Sequence, residues 1–178
     1  MTPGTIGFKQ YGSVQKDVNY RINGGSWNTL LSNTSGNYIT GLKAGDTIEF
    51  KGSNIRYATS KSEYCGFEGG TATYNIYGNI MSLSNPQNKS LDQLTTSQTY
   101  QFCSMFKKSK AISAKNLILP PLTLAEGCYR ALFSLAPILV EPPKILPATT
   151  LATYCYWYMF EACPITVAPE LPALTVSQ

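Results

Sequence analysis

The stretch best placed to do chemistry is residues 155–163, CYWYMFEAC, where four aromatic rings, a methionine and one carboxylate lie between two thiols. Thiols suit a metal clip, rings suit a ligand platform, and both suit a packed core. The rest of the inventory narrows these options. The 178 residues include no histidine, which removes the commonest general base and metal ligand, and with them every Ser-His-Asp or Cys-His arrangement. The five cysteines, Cys65, Cys103, Cys128, Cys155 and Cys163, form neither a CxxC pair nor an even-numbered secreted framework, and they read mostly as buried free thiols. Two carboxylates can hydrolyse a glycoside when about 5 to 10 Å apart. Among the ten acids, however, Asp46 is taken by a turn, Glu126 by a helix cap, and no pair sits in an aromatic-walled strand pattern. GFEGG (66–70) lacks the Lys-Ser/Thr of a phosphate loop, so it reads as a loop entering a strand, with Cys65 and Glu68 as isolated surface features. The expectation is a non-enzyme with no catalytic residue, metal or cofactor.

Composition supports a folded chain. At 43% hydrophobic and 13% charged it can bury a core, and a net charge of +4 with one short basic run, KKSK (107–110), does not predict nucleic-acid binding. MTPGTIGFKQ has no signal-peptide pattern, and no run of 18 apolar residues predicts a membrane span.

The elements that must carry these residues fall into two parts. From Thr5 to about Met81 short alternating runs predict antiparallel strands at 5–11, 18–22, 27–31, 38–40, 47–51 and 71–78. NGGS (23–26) and LKAGDT (42–47) supply turns between them, because Asn and Gly accept positive φ. Strands at this spacing predict a small β-sandwich. SNPQNKS (84–90) reads as a linker. Beyond it Phe106, Phe133 and Phe160, and likewise Thr96, Thr123 and Thr150, recur every 27 residues, the mark of a solenoid. Within each copy Phe102/Met105/Phe106, Tyr129/Leu132/Phe133 and Tyr156/Met159/Phe160 fall at i, i+3, i+4 and predict a short helix. Thr123 with Glu126 makes its capping box, and brief strands are expected at 138–140 and 165–167.

LPATTLATYCYWYMFEACPITVAPELPA (146–173) resembles the BspA-like leucine-rich repeats of gut and oral bacterial surface proteins and of phages from the same habitats. The preceding segment, with NYRINGGSWNTL and GGTATYNIYGNIMSL, is similar to the β-domain that often precedes such repeats. The resemblance covers residues 96–178 in about two and a half copies, fewer than usual arrays. It implies an adhesin or recognition module binding host proteins, glycans or cells. The expected fold class is therefore α+β and multidomain: an antiparallel β-sandwich (1–83), a linker (84–95) and a short leucine-rich-repeat solenoid (96–178).

Comparing the copies sorts structural positions from spare ones. Ala152, Tyr156, Met159, Phe160 and Cys163 keep the character of Ala125, Tyr129, Leu132, Phe133 and Ala136, so they read as core. Cys128 and Cys155, with Gln101 in the same column, read as a flank ladder, a stacked disulfide being the alternative. On the opposite face Tyr154, Trp157, Tyr158 and Glu161 replace Gly127, Arg130, Ala131 and Ser134. Tyr154, Trp157, Tyr158, Glu161 and Arg130 are the candidate contact patch, for a glycan or protein ligand or for a subunit. The expected role is a surface-displayed binding module, on a gut-phage virion as decoration or fibre, or on a bacterial surface as adhesin, or a purely architectural component. The expected partners are a cell-surface glycan or protein and further copies in a homo-oligomer or larger virion assembly, without nucleic acid or membrane insertion.

Overall fold

The computed structural model of the chain describes residues 4–84 and 98–172, together with the backbone of Thr175–Val176. In the first stretch the period-two alternation becomes strands β1 (Gly4–Tyr11), β2 (Asp17–Ile22), β3 (Asn28–Leu31), β4 (Asn37–Leu42), β5 (Ile48–Lys51) and β6 (Tyr64–Gly66). They form two small antiparallel sheets, ordered β4-β1-β6 and β3-β2-β5. Inward alternates from both enter one core: Ile6 and Phe8 from β1, Val18 from β2, Leu30 from β3, Ile39 and Leu42 from β4. NGGS turns as expected, with Asn23 at φ 51 and Gly24 at φ 72, and sets the β2/β3 register that pairs Tyr20 with Asn28. The Asn23 side chain also ties this turn to the next, donating to Asp46 Oδ1 at 2.8 Å and accepting from Thr47 N–H at 2.9 Å.

Three expectations about secondary structure are corrected. The first concerns residues 71–78, expected to continue the antiparallel pattern. Strand β7 (Tyr74–Asn79) instead pairs in parallel with β8 (Ala111–Ile118), from Tyr74 opposite Ala111 to Asn79 opposite Ile118. A parallel partner must come from a chain segment that has crossed over, and here it comes from the repeats.

The second is the helix in each copy. No α-helix occurs among the described residues, so the α of the α+β class is not found. Residues 98–109, 125–136 and 152–163 are chains of turns. In each, alternate N–H groups donate three residues back, as Trp157 does to Tyr154 C=O at 3.1 Å and Arg130 to Gly127 C=O at 3.0 Å. The intervening N–H groups donate to the next copy. Tyr100, Phe102, Ser104, Phe106 and Lys108 bond the carbonyls of Glu126, Cys128, Arg130, Leu132 and Ser134. Gly127, Tyr129, Ala131, Phe133 and Leu135 bond those of Thr153, Cys155, Trp157, Met159 and Glu161, at 2.7–3.0 Å. Every fourth residue takes positive φ: Tyr100, Ser104 and Lys108; Gly127, Ala131 and Leu135; Tyr154, Tyr158 and Ala162. A four-residue repeat places i and i+4 on one side much as a helix does, which is why the apolar spacing looks helical. A helix, though, would satisfy its N–H groups within the copy. Here, in the first two copies, half of them bind one copy to the next, and the left-handed residues there, costing about 1–2 kcal/mol each when not glycine, are held in place by those bonds.

The third is the strands at 138–140 and 165–167. Neither forms, and the neighbouring residues make only isolated parallel bridges, Ser113 with Glu141 and Ile145 with Glu170. The prolines of EPPKILP and CPITVAPELP have no N–H to give a ladder. Thr123, Thr150 and Thr175 do align, through the Thr123–Thr150 bridge and the parallel pair β9 (Thr150–Leu151) with β10 (Thr175–Val176), but as strand residues and not helix caps. Glu126 caps nothing and accepts from Tyr100 Oη at 3.1 Å. Thr96 and all of the expected linker except Ser84 lie outside the described residues.

Two ladders of stacked rings run through the molecule. Phe67, Phe106, Phe133 and Phe160 are 5.8, 5.4 and 5.7 Å apart between centroids. Tyr57, Phe102, Tyr129 and Tyr156 are 6.3, 6.0 and 6.0 Å apart. The first ring of each ladder belongs to the β-region, where Tyr57 N–H donates to Gln101 C=O and Phe67 N–H to Met105 C=O. Cys65 and Glu68 are therefore no surface features. Cys65 is fully buried, and Gly66 lies so close to the carbonyls of Ser104 and Met105 that a Cβ would fall 2.6 Å from the nearer one.

Candidate functional site

Stacking decides which side chains of CYWYMFEAC are committed. Tyr156 and Phe160 end the two ladders, Met159 is buried, and Cys155 lies beside Cys128 in the interior. All five thiols are free, and burial pushes Cys65, Cys103, Cys128, Cys155 and Cys163 up from the ordinary thiol range, which makes them poor nucleophiles and poor ligands. Among the described residues no three Cys, Asp or Glu gather where a cation could bind.

The remaining rings face outward because the turn chain alternates sides. Tyr154 and Tyr158 occupy two left-handed positions, with Trp157 between them. They are 47%, 47% and 42% exposed and form a continuous cluster, Trp157 lying 4.6 Å from Tyr154 in a stacked pair and 4.9 Å from Tyr158. Arg130, one copy earlier, lays its guanidinium over all three, 4.4 Å from the Trp157 centroid and 5.9 and 5.8 Å from those of Tyr154 and Tyr158. Among the described residues Arg130 has no carboxylate partner, so its charge is held by ring faces alone. Glu161 stands apart from this group and accepts from the Ser134 hydroxyl at 2.9 Å. Four of the five candidate residues thus converge, and the fifth braces two copies.

The equivalent positions are not an outer face throughout, as the copy comparison suggested. Cys103, Ser104, Ala131 and Ser134 are buried, and the Tyr100 ring lies where a Gly127 Cβ would be, 2.6 Å away. Side chains of one copy lean onto the next, so among the described residues of the copies only the third presents large rings uncovered.

Two further clusters were missed. Glu68, mostly buried, accepts from Tyr11 Oη at 2.6 Å, with Lys9 and Lys108 each 3.9 Å away. Burial, reinforced by this bond, raises the Tyr11 phenol, so the cluster reads as a tether between the β-region and the first copy. The other surrounds Trp27, 38% exposed, under two cations. The available signal was simple: Trp27 and Trp157 are the only tryptophans in the chain.

Comparison of the chain with family models, curated proteins and solved structures finds no match.

Proposed function

We propose that this chain is a non-enzymatic, surface-displayed binding module in which a β-sandwich carries a short solenoid of the leucine-rich-repeat kind, with turn chains where helices are usual. The observation that carries the reading is the exposed Tyr154–Trp157–Tyr158 cluster under Arg130, which has no carboxylate partner among the described residues. Rings with a polar rim can anchor a sugar face or a protein hot spot. The repeats' resemblance to gut bacterial and phage proteins favours display on a virion, as decoration or fibre, with a bacterial surface adhesin as the alternative.

An architectural role has its own support. In the first two copies the alternate N–H groups reach the next copy, whereas those of Tyr154, Tyr156, Tyr158, Phe160 and Ala162 have no acceptor among the described residues. Such a row of donors is an edge that another chain can pair with. It cannot pair with itself across a two-fold axis, since donors would face donors.

Binding of the purified chain to glycans, mucus proteins and whole gut bacteria, measured beside its native mass, tests both readings. Trp157→Ala with Tyr158→Ala is expected to reduce ligand binding at least tenfold, roughly the loss of one hot-spot anchor, with the native mass unchanged. Dissociation of an oligomer with binding intact would give the architectural reading instead. No change in either would remove both.

A further inference from the structure

The second tryptophan marks a site of its own. Alternation sends Val18, Tyr20, Ile22, Leu30, Ile48 and Phe50 of the β3-β2-β5 sheet toward the core, so the intervening residues form its outer face. Register aligns Thr29, Asn19 and Lys51 in one row across the three strands. Arg21 and Glu49 form the next row, and Trp27, just before β3, continues it. Thr29 donates to Asn19 Oδ1 at 3.0 Å, and Arg21 grips Glu49 through two bonds of 2.8 and 2.7 Å, which hold the polar side chains in fixed positions. The Arg21 guanidinium is 4.8 Å from the Trp27 centroid and the Lys51 ammonium 4.0 Å. Among the described residues Lys51 makes no ion pair, so one full charge stands on the ring with no anion.

We infer that this face is a second binding site, for a saccharide bearing a carboxylate or sulfate. A pyranose ring can pack an apolar face against the exposed part of Trp27, its hydroxyls can bond polar atoms of Asn19 and Glu49, and its acidic substituent supplies the anion that Lys51 lacks among the described residues. Glu49 neutralises Arg21, so Lys51 is the discriminating charge and selects acidic over neutral sugars. The site lies on strands of the β-region, whereas the Trp157 cluster lies on a turn chain of the last copy, and the two share no residue. Carried on one chain, the two would bind a polymer by effective concentration and not by single-site affinity.

In the 178-residue chain carrying Trp157→Phe, Trp27 is the only tryptophan and its emission reports this face alone. Titration with an oligogalacturonate, a sulfated galactan oligosaccharide and a neutral galactan oligosaccharide separates carboxylate, sulfate and neutral chemistry. A saturable change in Trp27 emission with either acidic sugar is expected, weakening with salt. Lys51→Gln should weaken it about tenfold, as for a lost charge-assisted hydrogen bond, with circular dichroism unchanged. Trp27→Ala in the otherwise native chain should abolish the corresponding heat in calorimetry. The inference falls if the neutral sugar binds equally well, if Lys51→Gln binds as the parent does, or if no sugar alters Trp27 emission.

Discussion

The middle and last copies share one sequence pattern and differ in what lies beside them. Tyr129, Leu132, Phe133 and Ala136 are fully buried between neighbours on both sides, whereas Tyr156, Phe160 and Cys163 are only partly so. The middle copy has stacked rings above and below, while the last has them on one side. The same residue types are therefore core in one copy and surface in the other. Burial here belongs to position in the stack, and exposure of the Trp157 cluster follows from the same asymmetry.

Truncating the two ladders sharpens the contrast most. Phe133→Ala is expected to cost about 3–5 kcal/mol, the usual range for an enclosed phenylalanine, and Phe160→Ala roughly half of that, because its cavity opens to solvent. Urea denaturation of the two variants measures the ratio. Equal losses would mean that the last copy is as well covered as the middle one.

Backbone substitutions at the left-handed positions come next and should have opposite signs. Gly127→Ala places a Cβ 2.6 Å from the Tyr100 ring at φ +57 and should destabilise by about 1–2 kcal/mol. Ala162→Gly, at φ +53 on the exposed last copy, should stabilise by about 0.5–1 kcal/mol, strain relief exceeding the entropy glycine adds to the unfolded chain. In a helix the Ala162→Gly change would instead cost about 1 kcal/mol, so thermal melts distinguish a turn chain from a helix by sign alone.

The smallest expected effect contrasts the β-region with the repeats in acid. Asp46 is held below the usual carboxylate range by the Lys43 N–H and the Asn23 amide, Glu49 by Arg21, and Glu63 by the backbone and hydroxyl of Ser13. In the repeats Glu141 is lowered by Ser113 and Lys115. A carboxylate lowered in the folded state contributes stability that is complete above its unfolded pKa, about 4, and is lost as the pH falls through the folded value. Stability should therefore fall below about pH 4. Hydrogen exchange should show the amides of β2 and β5 loosening before those of Phe106 and Phe133, which are bonded between stacked copies. Simultaneous loss in both regions would mean that the two unfold as one unit.

Most strands of the β-region were legible because each sheet has a wet face and a dry one, which writes alternation into the chain. The parallel pairing of β7 was not, since a strand's own residues do not name a partner 37 residues away, as Tyr74 is from Ala111. The spare rings were found by comparing copies, but the Trp27 site was not, because Trp27, Arg21 and Lys51 meet only across three strands.

Spacing alone determined the 27-residue period, the recurring rings and which of them vary, since these are properties of order along the chain. Whether the i, i+3, i+4 spacing made helices or turns was decided in the folded stack. An N–H donated to a neighbouring copy and one donated within the same copy leave the same residues in the sequence. The local pattern says where a copy needs apolar groups, and only the neighbour says where its hydrogen bonds go.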